Sequence, residues 1–153
     1  GKNDEKLLVS SSMIRKLLVE GEVSQAALCL GRQYAIESTV IRGAGRGRSI
    51  GVATANIHTP EGQVEPAEGV YAGTTMVGEA AYSSAISIGR AETFGKNKRQ
   101  VESHLLHFQG DLYGKTIRVE FTRRIRGQQK FASIDDLAKQ IQQDITAVRT
   151  III

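Results

Sequence analysis

Cysteine occurs once in the 153 residues, tryptophan is absent, and aromatic side chains make up 5% of the chain. A single Cys29 excludes an internal disulfide and any cysteine-based zinc site. Its neighbours Ala26, Ala27, Leu28 and Leu30 predict a small buried apolar side chain there. The three histidines, His58, His104 and His107, do not form a helical i, i+4 pair, which excludes that arrangement of a catalytic zinc. Four Tyr and four Phe are too few for a base-stacking platform. No apolar run approaches the roughly 18 residues of a membrane span, and no signal-peptide pattern opens the chain. The expectation is a cytoplasmic protein without a membrane partner.

What is present is ordinary for a globular domain: 41% hydrophobic and 24% charged residues, with a formal charge of +4. A chain of this length can bury one good core. Its basic balance permits contact with phosphorylated small molecules or nucleic acid. The case for nucleic acid rests on that balance and on Arg123, Arg124 and Arg126 alone, so a nucleic-acid partner is not expected.

The most informative stretch is 43–56, Gly-Ala-Gly-Arg-Gly-Arg-Ser-Ile-Gly-Val-Ala-Thr-Ala-Asn. Glycines let a backbone come close to an anion and point its N–H groups at phosphate oxygens. Gly43, Gly45, Gly47 and Arg48 are therefore candidates for an anion-binding loop, although composition alone fits a flexible surface loop equally well. The spacing fits neither a dinucleotide-binding fingerprint nor a P-loop. Gly114-Lys115-Thr116 is also no P-loop, because Gln109 stands where a glycine is required, and it reads as a turn.

Around this stretch the pattern predicts helix, then strands, then helix. Residues 3–31 read as two short helices, the first capped by Ser10-Ser11-Ser12 and closed by Gly21, the second ending at Gly31. Strands follow at 34–42, 54–57, 69–77, 80–88, 100–108 and 116–123. Gly78-Glu79 joins 69–77 to 80–88 as a type II′ hairpin, and 109–115 joins 100–108 to 116–123 as a second pair. Ser133 with Asp136 starts a last helix, in which Ile134, Leu137, Ala138, Ile141, Ile145 and Val148 form one apolar stripe. That stripe is expected to close one end of an antiparallel barrel or sandwich.

Three places could carry chemistry. Thr54 and Asn56 alternate with alanines, so both point to one side of an extended segment and could offer oxygens to a hard cation such as Mg²⁺; satisfying turn backbone is the other use of such residues. Glu102 shares a strand face with His104, Leu106 and Phe108. If that face is inward, the carboxylate is partly desolvated, as suits a general base; otherwise it is an exposed strand residue. Arg126 and Phe131 flank 127–130, where a cation and a ring can hold a flat ligand or Phe131 can staple the helix start.

Taken in order, these segments resemble the riboflavin kinase domain of the bacterial bifunctional riboflavin kinase/FAD synthetase family. The likeness runs from about residue 31 to 149 and rests on 43–51, Thr54-Ala55-Asn56, Gly69-Val70-Tyr71-Ala72, Thr93-Phe94-Gly95, Val101-Glu102-Ser103-His104-Leu105-Leu106 and Asp111-Leu112-Tyr113-Gly114-Lys115. The resemblance implies a mainly β fold, a six-stranded antiparallel Greek-key barrel with a C-terminal helix. It further implies transfer of the ATP γ-phosphoryl group to riboflavin, giving FMN. The implied roles are nucleotide binding by Gly43, Gly45, Gly47, Arg48 and Thr54, Mg²⁺ binding by Thr54 and Asn56, catalytic base for Glu102, and flavin binding by Arg126 and Phe131.

Residues 9–15 are similar to the end of the same family's adenylyltransferase domain. Residues 1–31 are thus expected to be a helical remnant of that domain, and 32–153 the kinase domain, with the N-terminal FMN adenylyltransferase as the usual fused partner. FAD synthesis is not expected from this stretch alone. The sequence departs from the family pattern at Val52-Ala53, where Phe-Pro is usual, and at 88–94, where Glu92 replaces a proline. Those departures set the alternative, a flavin- or nucleotide-binding module of the same fold without turnover.

Overall fold

The computed structural model describes residues 2–42, 53–90, 99–127 and 134–152. In chain order they form α1 (Lys2–Val19), α2 (Val23–Leu30), β1 (Tyr34–Thr39), β2 (Ala53–Ile57), β3 (Gly69–Val77), β4 (Ala80–Arg90), β5 (Arg99–Leu105), β6 (Thr116–Arg126) and α3 (Ile134–Ile152).

The serine run does not start a helix; it lies inside α1. Lys2 to Leu8 is rich in good helix formers, and three serines cost only a few tenths of a kcal/mol each in a helix interior, roughly. Gly21, at φ +83°, reverses the chain after α1, and Gly31 caps α2 in the left-handed region with its N–H on the Ala27 carbonyl. Cys29 is exposed rather than buried. The inward stripe of α2 comprises buried Val23 and Ala26 with half-buried Ala27 and Leu30, and a period of 3.6 leaves residue 29 off that stripe.

All six strands belong to one antiparallel sheet in the order β1-β6-β3-β4-β5-β2. The β3–β4 hairpin turns at Gly78 with φ +62°, while Glu79 stays at negative φ, as a type II′ connection requires. The expected pairing of β5 with β6 is not made: β3 and β4 lie between them. Adjacency in sequence predicts strand neighbours only about two-thirds of the time. Here the 106–115 connection instead docks on the chain leaving β1, with Val40 N–H on the Lys115 carbonyl and Gly114 N–H on the Val40 carbonyl. A lone bridge, Ile41 to Asn56, then ties that chain to β2, joining the two edges of the curled sheet. The architecture is the six-stranded antiparallel Greek-key barrel, with a C-terminal helix, that the sequence led one to expect.

Alternate residues fill the interior. Ile36, Ile57, Tyr71, Ile86, Val101 and Phe121 belong to one buried cluster, which Leu18, Val23 and Ala26 of α1 and α2 join. Tyr71 meets Phe121 edge-on, with ring centroids 5.3 Å apart. Gly73 is obligatory at its crossing of β6, since a Cβ there would stand 2.0 Å from the Glu120 carbonyl oxygen. A buried hydroxyl set is internally satisfied: Thr75 Oγ1 lies 2.8 Å from Ser84 Oγ and 2.7 Å from Ser103 Oγ.

Helix α3 does not close the barrel end. Its Ile145 and Val148 form a second cluster with Ala72, Ala85 and Leu106. Ala72 and Ala85 are register partners on β3 and β4 and alternate with the interior Tyr71 and Ile86, so α3 lies on the outer face of the sheet. Paired alanines leave a shallow place there for a helix to approach. β5 also ends earlier than expected, at Leu105. His107 adopts φ +61° and breaks the alternation, so Leu106 joins the α3 cluster while Phe108 turns inward to meet Tyr82 at 5.1 Å.

Candidate functional site

The outer face of β2 and β5, beside α3, gathers the polar residues. On β2, Ala53, Ala55 and Ile57 pack with the interior, which sends Thr54 and Asn56 to the other side. On β5, Val101, Ser103 and Leu105 are buried, and Glu102 and His104 take the opposite face. The antiparallel register sets Thr54 across from His104 and Asn56 across from Glu102. On the other flank, β4 places Ala85 across from His104 and Ser87 across from Glu102.

Contacts follow from that register. Thr54 Oγ1 lies 3.2 Å from His104 Nδ1, and His104 Nε2 lies 3.6 Å from Glu102 Oε1. Gln100 Nε2 donates to Asn56 Oδ1 at 2.8 Å. The histidine side chain is 7% exposed and the glutamate 25%. Burial pushes the His104 pKa below its ordinary 6.5, against the opposing pull of the negative charges of Glu102 and Asp144. The inward-face condition set for Glu102 is not met. Its strand face is the outer one, and the shelter it has comes from its neighbours there.

Asp144 arrives from α3. It is buried and takes a bidentate pair from Arg126, Nε to Oδ1 at 3.0 Å and Nη2 to Oδ2 at 2.9 Å. Gln140 Nε2 adds a third bond to Oδ1 at 3.1 Å. The end of β6 is thereby fastened to α3. Arg124 donates to the Glu68 carbonyl, so two of the three arginines in the basic run are engaged within the protein.

Thr54, Asn56 and Glu102 are thus brought together, and Arg126 joins their face through Asp144. Gly43, Gly45, Gly47, Arg48 and Phe131 lie outside the described residues. His104, Gln100 and Asp144 were not singled out by sequence reading. The first two share the period-two face of Glu102, which could have flagged them; Asp144 carried no comparable signal. Two neutral oxygens, on Thr54 and Asn56, suit a hard cation that arrives largely liganded by phosphate. Among the described residues there is no cluster of three or more His, Cys, Asp or Glu side chains that could hold a metal by itself.

The family described as flavokinase, riboflavin kinase, matches residues 30–152. The bifunctional riboflavin kinase/FMN adenylyltransferase of Bacillus subtilis is 37% identical over 89% of this chain and 44% of its own length. The protein of the same name from Escherichia coli is 37% identical over 92% of this chain and 45% of its own length. The trifunctional protein RibF/MnmA of Mycoplasmoides gallisepticum is 38% identical, over 88% of this chain and 20% of that protein. The chain therefore spans less than half the length of these relatives.

Among solved structures, a protein from Streptococcus pneumoniae described as a macrolide-efflux protein superposes with a TM-score of 0.83 at 33% identity, covering 91% of this chain and 46% of that one. The riboflavin kinase of Trypanosoma brucei shares the fold, with a TM-score of 0.54 at 24% identity, covering 76% of this chain and 78% of that one.

Proposed function

The chain belongs to the riboflavin kinase family, and on that premise we propose that it transfers the γ-phosphoryl group of ATP to the terminal ribityl hydroxyl of riboflavin, releasing FMN and ADP. The observation that carries the proposal is the meeting of Thr54, Asn56 and Glu102 on one face of two paired strands.

Glu102 acts as the base. Its carboxylate accepts the proton of the ribityl hydroxyl as that oxygen bonds to the γ-phosphorus and the bond to the ADP oxygen breaks. Phosphoryl transfer demands positioning and charge neutralisation more than covalent chemistry by the protein. Gly43, Gly45, Gly47 and Arg48 cover the nucleotide, with Thr54 at the end of the same segment. Thr54 and Asn56 would hold Mg²⁺, which when bound offsets the phosphate charge. Arg126, oriented by Asp144, and Phe131 face the flavin.

Residues 32–153 make up the kinase domain in this reading and 1–31 lead into it. The fused FMN adenylyltransferase named in the relatives is the proposed N-terminal partner, and FAD synthesis is assigned to that partner. Incubation with riboflavin, ATP and Mg²⁺, followed by chromatography, should yield FMN. Absence of FMN at saturating substrates would overturn the proposal.

A further inference from the structure

We propose that His104 is a positioning residue: its Nδ1 accepts the hydroxyl hydrogen of Thr54, leaving the lone pairs of Thr54 Oγ1 to face a cation that arrives with the nucleotide. The inference rests on the reading above that Thr54 is a cation ligand, and it adds the residue that aims this ligand.

The geometry has two halves. Thr54 Oγ1 and His104 Nδ1 are 3.2 Å apart, within hydrogen-bond reach in either direction. What decides the direction is the other ring nitrogen, Nε2, which lies 3.6 Å from a Glu102 carboxylate oxygen. A bare Nε2 would turn a lone pair on that oxygen, so the ring hydrogen belongs on Nε2 and Nδ1 is left as an acceptor. The threonine hydroxyl has one hydrogen and two lone pairs. With the hydrogen committed to Nδ1, both lone pairs point away from the ring; an uncommitted hydroxyl would rotate and turn its hydrogen toward the cation part of the time.

The ring itself is held in place. His104 is 6% exposed, between Thr54 of β2 and Ala85 of β4. Glu102 thus sets the tautomer, and the tautomer sets the hydroxyl. The residue expected to take the substrate proton and the residue expected to hold the cation are linked through one imidazole. Asn56 has an analogous orienting partner in Gln100, whose amide donates to its Oδ1.

Two substitutions separate hydrogen bonding from packing. His104→Asn puts an acceptor near the place of Nδ1, whereas His104→Phe keeps a ring and loses the acceptor. In calorimetric titrations of Mg²⁺·ADP without riboflavin, H104N should bind within about twofold of wild type and H104F about tenfold more weakly, the scale of one lost hydrogen bond. The reverse order would show a packing role, and equal binding by all three proteins would show no role at all; either result would overturn the inference. So would wild-type ADP binding that does not depend on Mg²⁺.

Nitrogen-15 spectra of the imidazoles in the metal-free wild-type chain give a readout that needs no variant to fold. The Nε2–H form of His104 is expected, and the Nδ1–H form would sink the idea. FMN formation is assayed separately. If wild type makes no FMN but shows the expected tautomer and the Asn-over-Phe order, the kinase reading fails and the role of His104 stands. If FMN forms and H104F binds Mg²⁺·ADP as wild type does, only the role of His104 fails.

Discussion

Glu102 and His104 stand two residues apart on β5 and face the same side, yet the histidine is the more deeply buried of the two. For Glu102, partial exposure leaves room for a substrate hydroxyl to approach the carboxylate. Replacing it by Gln should lower turnover by roughly 100-fold or more, the usual contribution of a positioned base, while riboflavin affinity in a fluorescence titration stays within a few-fold. Loss of binding in proportion to turnover would instead mark Glu102 as a flavin contact. For His104, burial holds the folded-state pKa below the ordinary 6.5. As pH falls through about that value, the unfolded chain takes up a proton that the folded chain refuses, so the folded state loses stability on the acid side and keeps it above. Urea unfolding of the metal-free chain between pH 7.5 and 5.5 should show this fall, and H104N should flatten it.

At the scale of elements, two unlike contacts among the described residues hold α3 to the barrel. One is apolar, Ile145 and Val148 against Ala72, Ala85 and Leu106. The other is the Arg126–Asp144 pair, in which the side chains are 17% and 5% exposed. Removing one partner of a buried pair leaves the other charge without compensation, which costs about 3–5 kcal/mol when burial is complete. Arg126 retains some solvent, so Asp144→Asn should destabilise the protein at the lower end of that range, as read from denaturant midpoints. Arg126→Lys should not substitute well, because a single ammonium cannot reproduce the two parallel bonds to Oδ1 and Oδ2. Both variants should also weaken riboflavin binding if Arg126 faces the flavin as proposed.

On the scale of the whole molecule, the N-terminal helices share the barrel's core. Leu18 is 1% exposed and belongs to the same cluster as Ile36, Tyr71 and Phe121, and the Ala67 N–H bonds to the Leu18 carbonyl. Leu18→Ala should therefore cost about 2–5 kcal/mol, as truncation of a fully buried leucine does, and should lower the unfolding midpoint of the barrel itself. A loss confined to helical signal, with the barrel transition unchanged, would show that α1 and α2 unfold independently. Among the described residues, no helix is long and apolar enough to cross a membrane.

Local pattern determined a good deal by itself. The alternation of Ala53, Thr54, Ala55 and Asn56 put both candidate ligands on one side of their strand, because a strand's period is two wherever it pairs. Gly78 marked the β3–β4 hairpin, since few residues other than glycine take its positive φ without strain. The order of motifs from Gly43 to Arg126 pointed to the family, and the apolar stripe beginning at Ile134 predicted α3. What period two cannot say is which strand lies alongside, and this only the tertiary structure decided. It paired β5 with β2 and β4 and sent β6 to β1 and β3, bringing Thr54 to His104 and Asn56 to Gln100 and Glu102. It laid α3 on the outer face, where Asp144 meets Arg126. It also buried the 23/26 face of α2 and left Cys29 in solvent. These outcomes depend on contacts between residues far apart in sequence, and they are set by how whole faces pack, a quantity no local window contains.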